Sequence, residues 1–107
     1  MTLNQVKWSD DLQKKLQEAK VVLIDFFADR CGPCQMLSPV LEELAEENKD
    51  KDAKIIKLDT EENADLAWEY WITSIPAVFV FKNWELVEKM VWLQEKSVYQ
   101  DKINSLL

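Results

Sequence analysis

The sequence predicts an α/β fold, and three observations point there. An almost unbroken apolar run, Val21 to Ala28, has the length and β-branched start of a strand buried on both faces. It is followed by a segment with helical apolar spacing (Leu37, Val40, Leu41, Leu44, Ala45) and then by a second β-rich run, Lys54 to Leu58. Strand, crossover helix and strand make a βαβ unit, whose right-handed connection sets the two strands parallel in one sheet. With 107 residues and a hydrophobic content of 48%, the chain is expected to form one domain, residues 1–107, with a core that needs no staples.

From the N-terminus, Leu3 to Val6 suggests a short edge strand. Asp10 to Lys20 predicts a helix with Leu12, Leu16 and Ala19 on one stripe and Ser9 as its N-cap. After the first long strand, a helix is expected from about Pro33 to Asn48, with Glu42, Glu43, Glu46 and Glu47 mostly outside. Pro39 lies inside it, removes a backbone donor and predicts a kink. Thr60 stands where it can cap a short helix running to Tyr70. Pro76 introduces a strand from Ala77 to Phe81, and a turn at Lys82 to Glu85 leads into Leu86 to Val91. A final helix, Lys96 to Leu106, turns Tyr99, Ile103 and Leu106 inward.

Charge and composition exclude several classes. A formal net charge of −7 lacks the basic footprint that nucleic acid requires. The run from Val21 to Ala28 is too short for a bilayer and carries Asp25, so no membrane contact is expected. The opening residues do not read as a leader, and the expected compartment is the cytoplasm, where exposed thiols stay reduced. Histidine is absent, which removes the usual general base and the commonest imidazole ligand.

Both cysteines and the only glycine stand together in Cys31-Gly32-Pro33-Cys34, between a predicted strand and a predicted helix. Thiols three positions apart at a helix start are close enough to form a disulfide with each other. The thiolate is the attacking species, and the unpaired N–H groups and dipole at a helix N-terminus favour it. Cys31 is therefore the candidate exposed nucleophile. Cys34 follows the stripe of Leu37 and Leu41 and is the candidate buried resolving thiol. Pro33 suits a first helical turn. Asp25, within the apolar strand, should have its pKa raised by desolvation and could take the Cys34 proton; a hydrated acid at a strand end is the other reading. A Cys-x-x-Cys beside a βαβ pattern is a thioredoxin-like redox signature. Two inert thiols, or half of a zinc site shared between chains, are the alternatives, although one chain supplies only two of the usual four ligands.

The stretches Val22-Leu23-Ile24-Asp25-Phe26-Phe27-Ala28, Cys31-Gly32-Pro33-Cys34, Pro39, Lys57-Leu58-Asp59, Ser74-Ile75-Pro76 and Phe81-Lys82-Asn83, in that order, resemble the thioredoxin family. The resemblance implies a central mixed β-sheet flanked by helices on both faces. It implies a dithiol–disulfide oxidoreductase that reduces protein disulfides through a mixed disulfide. No bound cofactor or metal is expected; electrons would come from a thioredoxin reductase using NADPH, to a monomer acting on disulfide-containing proteins. Lys57 resembles the family lysine that faces the buried acid; a solvated strand lysine is the other reading. Pro76 resembles the family's cis-proline beside the cysteine pair; without the resemblance it reads as an ordinary strand-start proline. Ile75 and Trp92 would border the substrate groove.

Two departures stand out. Arg30 occupies the position before the first cysteine where the family usually has tryptophan, and its charge should favour the Cys31 thiolate. Trp71, Trp84 and Trp92 occupy positions where the family usually has glycine. At two of them local chemistry also expects glycine: Trp71 follows a predicted helix end, and Trp84 follows Asn83 in a tight hairpin. Either a codon read as glycine in the source has been written as tryptophan, or the substitutions are genuine or engineered. A redox-weak binding or folding-helper module with an altered groove is thus the competing function.

Overall fold

The computed structural model describes residues 4–6 and 9–107, with side chains from Asp11 onward. In chain order the elements are β1 (Asn4–Val6), α1 (Ser9–Leu16), β2 (Val21–Phe27), α2 (Gly32–Glu47), β3 (Ala53–Asp59), α3 (Ala64–Glu69), β4 (Ala77–Lys82), β5 (Glu85–Val91) and α4 (Lys96–Leu106). The strands form a five-stranded sheet ordered β1-β3-β2-β4-β5. β1, β3 and β2 run parallel, whereas β4 and β5 run antiparallel to their neighbours. The sheet is therefore mixed, with the βαβ unit on one side and a hairpin on the other.

Strand periodicity sorts the core into two layers. Val22, Ile24 and Phe26 of β2, with Phe79 and Phe81 of β4, meet Leu12 and Leu16 of α1 and Leu66 of α3. Val21 and Leu23, with Val78 and Val80, meet Leu37, Leu41 and Leu44 of α2 and Tyr99 and Ile103 of α4. Successive strand residues point to opposite faces, so helices cover both. β2 is buried along its whole length, as its unbroken apolar run demands.

Local details differ from the sequence reading where long-range bonds intervene. α1 ends at Leu16 rather than Lys20, closing in i→i−3 bonds from Gln17 to Lys14 (3.1 Å) and Glu18 to Lys15 (3.2 Å). The capping side chain expected at Ser9 lies outside the described side chains, as Leu3 lies outside the described residues. α2 carries Pro39 in its interior, as the sequence places it. Thr60 does not cap α3, which begins only at Ala64; its hydroxyl donates instead to the Phe27 carbonyl at 3.1 Å, tying the ends of β3 and β2 together.

The connections carry the unusual backbone. Trp71 has φ 55°, Asn83 48°, Trp84 73° and Trp92 74°, all in the left-handed region. Trp71 closes α3 in a Schellman motif: its N–H bonds to the Trp68 carbonyl (3.1 Å) and that of Ile72 to Ala67 (2.9 Å). Asn83 and Trp84 are the two central residues between β4 and β5, and positive φ at both defines a type I′ hairpin turn.

Candidate redox site

The topology brings the candidate residues to one end of the sheet. Because β4 is antiparallel to β2, with Phe26 opposite Ala77, it starts where β2 ends. Ala77 is in turn opposite Val91. The chain leaving β2 toward Cys31, the residue before β4 (Pro76) and the residue after β5 (Trp92) therefore share that edge, and α2 begins there.

Cys31 is the N-cap of α2 in extended conformation, φ −85° and ψ 107°, with proline in the first turn. Its sulfur accepts a hydrogen bond from the Cys34 backbone N–H at 3.1 Å, the geometry of a capping side chain. The first turn of α2 is tied back to the loop before it by the Gln35 side chain, whose amide donates to the Asp29 carbonyl at 2.7 Å. Cys31 and Cys34 are joined as a disulfide with Cα atoms 5.2 Å apart. The two sulfurs differ in exposure: Cys31 is partly exposed, while Cys34 is only 4% exposed. Gly32 is exposed and has no left-handed φ, and a Cβ built on it would meet nothing within 4 Å.

Asp25 sits in the middle of β2, opposite Lys57 of β3 and Val78 of β4. By strand alternation it shares the face of Val21 and Leu23, the face on which α2 packs. It is buried, and neither carboxylate oxygen has a hydrogen-bond partner. Burial pushes its pKa up from 3.8 to about 7, against the opposing pull of the Lys57 charge. The sequence alternative of a hydrated strand-end acid is thereby excluded.

Lys57 is in register with Asp25, but its ammonium does not bond the carboxylate. It donates to the Ser38 hydroxyl at 3.4 Å and lies 4.3 Å from the centre of the Phe27 ring. Phe27, Ala28, Cys34, Ser38 and Lys57 line a cleft of about 350 Å³, so the inner cysteine borders a solvent path although it is buried. Ser38 and Phe27 were missed as site residues in the sequence; the i, i+4 spacing of Cys34 and Ser38 on one helix was the available signal. Tyr99 was expected inward and is fully buried, its hydroxyl without a hydrogen-bond partner at normal geometry. Burial pushes its pKa up to about 12, and the nearby Asp25 charge pushes the same way.

Arg30 is exposed beside Cys31. The Ile75–Pro76 peptide bond is cis, as the resemblance implied, and Pro76 is buried. The Trp92 N–H donates to the Pro76 carbonyl at 2.8 Å, so residue 92 is fixed against this loop, with its side chain 53% exposed.

The thioredoxin family model matches residues 1–105. The chain belongs to the thioredoxin family. It is 47% identical over 87 residues to thioredoxin of Bacillus subtilis, covering 81% of this chain and 83% of that one. It is 49% identical over 92 residues to thioredoxin of Staphylococcus epidermidis, covering 85% and 86%. A solved structure of a mutant thioredoxin from Halobacterium salinarum superposes with a TM-score of 0.89 at 41% identity, covering 96% of this chain and 88% of that one. With the Cys31–Cys34 disulfide, membership makes the protein a thioredoxin-type dithiol–disulfide oxidoreductase whose redox group is the disulfide itself. Among the described residues no helix is long and apolar enough to cross a membrane.

Proposed function

We propose that the reduced protein attacks substrate disulfides through Cys31, resolves the mixed disulfide through Cys34, and uses Asp25 to accept the Cys34 proton. The observation that carries this reading is the asymmetry of the pair. One sulfur is partly exposed at a helix N-terminus; the other is buried on the face that holds an unpartnered carboxyl group.

The Cys31 thiolate attacks one sulfur of the substrate, forming a Cys31–substrate bond as the substrate disulfide breaks and its other sulfur leaves as a thiolate. Cys34 then loses its proton to Asp25 and attacks the Cys31 sulfur. The Cys31–Cys34 disulfide forms, the second substrate sulfur departs, and two electrons have passed to the substrate. A base with pKa about 7 matches proton transfer near neutral pH. Arg30 adds a weak, salt-screened preference for the thiolate. Gly32 and Pro33 complete the turn between the sulfurs.

Ile75, Pro76 and Trp92 edge the substrate groove in this reading. The Pro76 carbonyl already accepts from Trp92, which leaves the Ile75 backbone to pair with an extended substrate segment. The electron donor is an NADPH-dependent thioredoxin reductase, the substrates are disulfide-bearing proteins, and the protein works as a cytoplasmic monomer. Thioredoxins among its relatives support this reading.

Insulin reduction tests it. The wild type should turn over, Cys31→Ser should not, and Asp25→Asn should be slowed. No turnover by the wild type would favour the redox-weak binding module, the reading that the exposed Trp92 at the groove edge supports.

A further inference from the structure

Among the described residues four other than glycine adopt positive φ: Asn83, which tolerates the left-handed region, and three tryptophans. A bulky side chain there is a genuine outlier, because its Cβ crowds the following carbonyl oxygen. The three rings are mostly exposed, so little burial is available to offset that crowding. Trp71, Trp84 and Trp92 are 78%, 62% and 53% exposed. The ring contact of Trp71 is a stack on Trp68, itself 81% exposed.

One shared partner surface does not hold all three either, although Trp71 lines a cleft with Val91, the neighbour of Trp92. Trp92 lies at the end of the sheet where β5 finishes, while Trp84 lies in the hairpin where β5 begins, at the opposite end. What the three sites share is a backbone conformation that suits glycine: a Schellman C′ position, the second central residue of a type I′ turn and a left-handed link between β5 and α4. The chain meanwhile holds one glycine in 107 residues, where average usage would give about seven. That one glycine is not in a left-handed conformation.

We infer that residues 71, 84 and 92 are glycine in the protein as its source cell makes it, and that tryptophan is written there for a codon that cell reads as glycine. The glycine codon GGA and the triplet UGA differ by one base, and UGA is a stop codon that variant codes reassign. A single reassigned codon accounts for one residue type at three left-handed sites in three different turns. The groove reading above then gains a corollary: with glycine at 92, the edge beside Pro76 carries no side chain and stands open to substrate backbone.

Peptide mass spectrometry of the protein purified from its source cells decides the matter. Glycine at all three positions is expected; tryptophan at any one of them overturns the inference. The backbone argument has its own test, independent of redox activity. A chain with Trp71→Gly, Trp84→Gly and Trp92→Gly should raise the folded-to-unfolded ratio by a factor of about 5–30 per site. Trp68→Gly, which removes an equally exposed indole from within α3, should lower that ratio about twofold. A triple variant no more stable than the tryptophan-bearing chain overturns the inference as well.

Discussion

The turn around the disulfide and the hairpin between β4 and β5 treat glycine in opposite ways. Gly32 occupies a conformation open to other residues, with empty space where its Cβ would be. Trp84, in the hairpin, occupies a conformation that glycine adopts without strain. Membership of a motif therefore does not identify the positions where the backbone demands glycine; φ does. The contrast also separates chemistry from scaffold. The redox site is assembled from a helix cap, an asymmetry of burial and a buried acid, none of which depends on the three left-handed turns.

The largest effect expected on the site side comes from Asp25. Its folded-state pKa of about 7, against an ordinary 3.8, means that the folded protein holds a proton the unfolded chain has lost between those values. Stability should therefore fall as pH rises from about 4 to 7 and level off above it. Asp25→Asn removes the cost of the buried charge and should stabilise the protein at pH 8 on the order of 4 kcal/mol, with little gain below pH 4. Denaturant midpoints across pH read this directly; a gain equal at pH 4 and pH 8 would break the assignment of the buried charge.

On the scaffold side the effects are smaller. Trp84→Gly should add about 1–2 kcal/mol by relieving the left-handed tryptophan in the type I′ turn. Gly32→Ala, its counterpart in the cysteine turn, should be neutral or stabilising by up to about 0.5–1 kcal/mol, because alanine fits the helical backbone and meets no neighbour. Thermal unfolding of the two variants sharpens the comparison, and a destabilised Gly32→Ala together with an unchanged Trp84→Gly would reverse it.

Much of this contrast was readable in the chain before its fold was known. The β2 run, the α2 stripe and the cysteine spacing are local patterns, and they place Cys31, Cys34 and Asp25 correctly. Trp71 and Trp84 could be marked as glycine positions from turn chemistry, whereas Trp92 rested on the family resemblance alone. What stayed hidden depends on contacts distant in sequence. Lys20 donates its N–H to the Asp52 carboxylate at 3.0 Å beyond the end of α1, and Thr60 turns to Phe27 instead of capping α3. Lys57 is in register with Asp25, yet its ammonium goes to Ser38 and the Phe27 ring; strand pairing sets the Cα positions but leaves the rotamer open.

The division of labour between the two sulfurs is the central claim, and trapping tests it most directly. Reduced Cys34→Ser protein, mixed with a disulfide-bearing protein such as insulin, should accumulate a stable mixed disulfide, with peptide mapping placing the link at Cys31. Cys31→Ser should accumulate none under the same conditions. A mixed disulfide that forms as readily through Cys34 in the Cys31→Ser variant would contradict the assignment of Cys31 as nucleophile and Cys34 as resolving thiol.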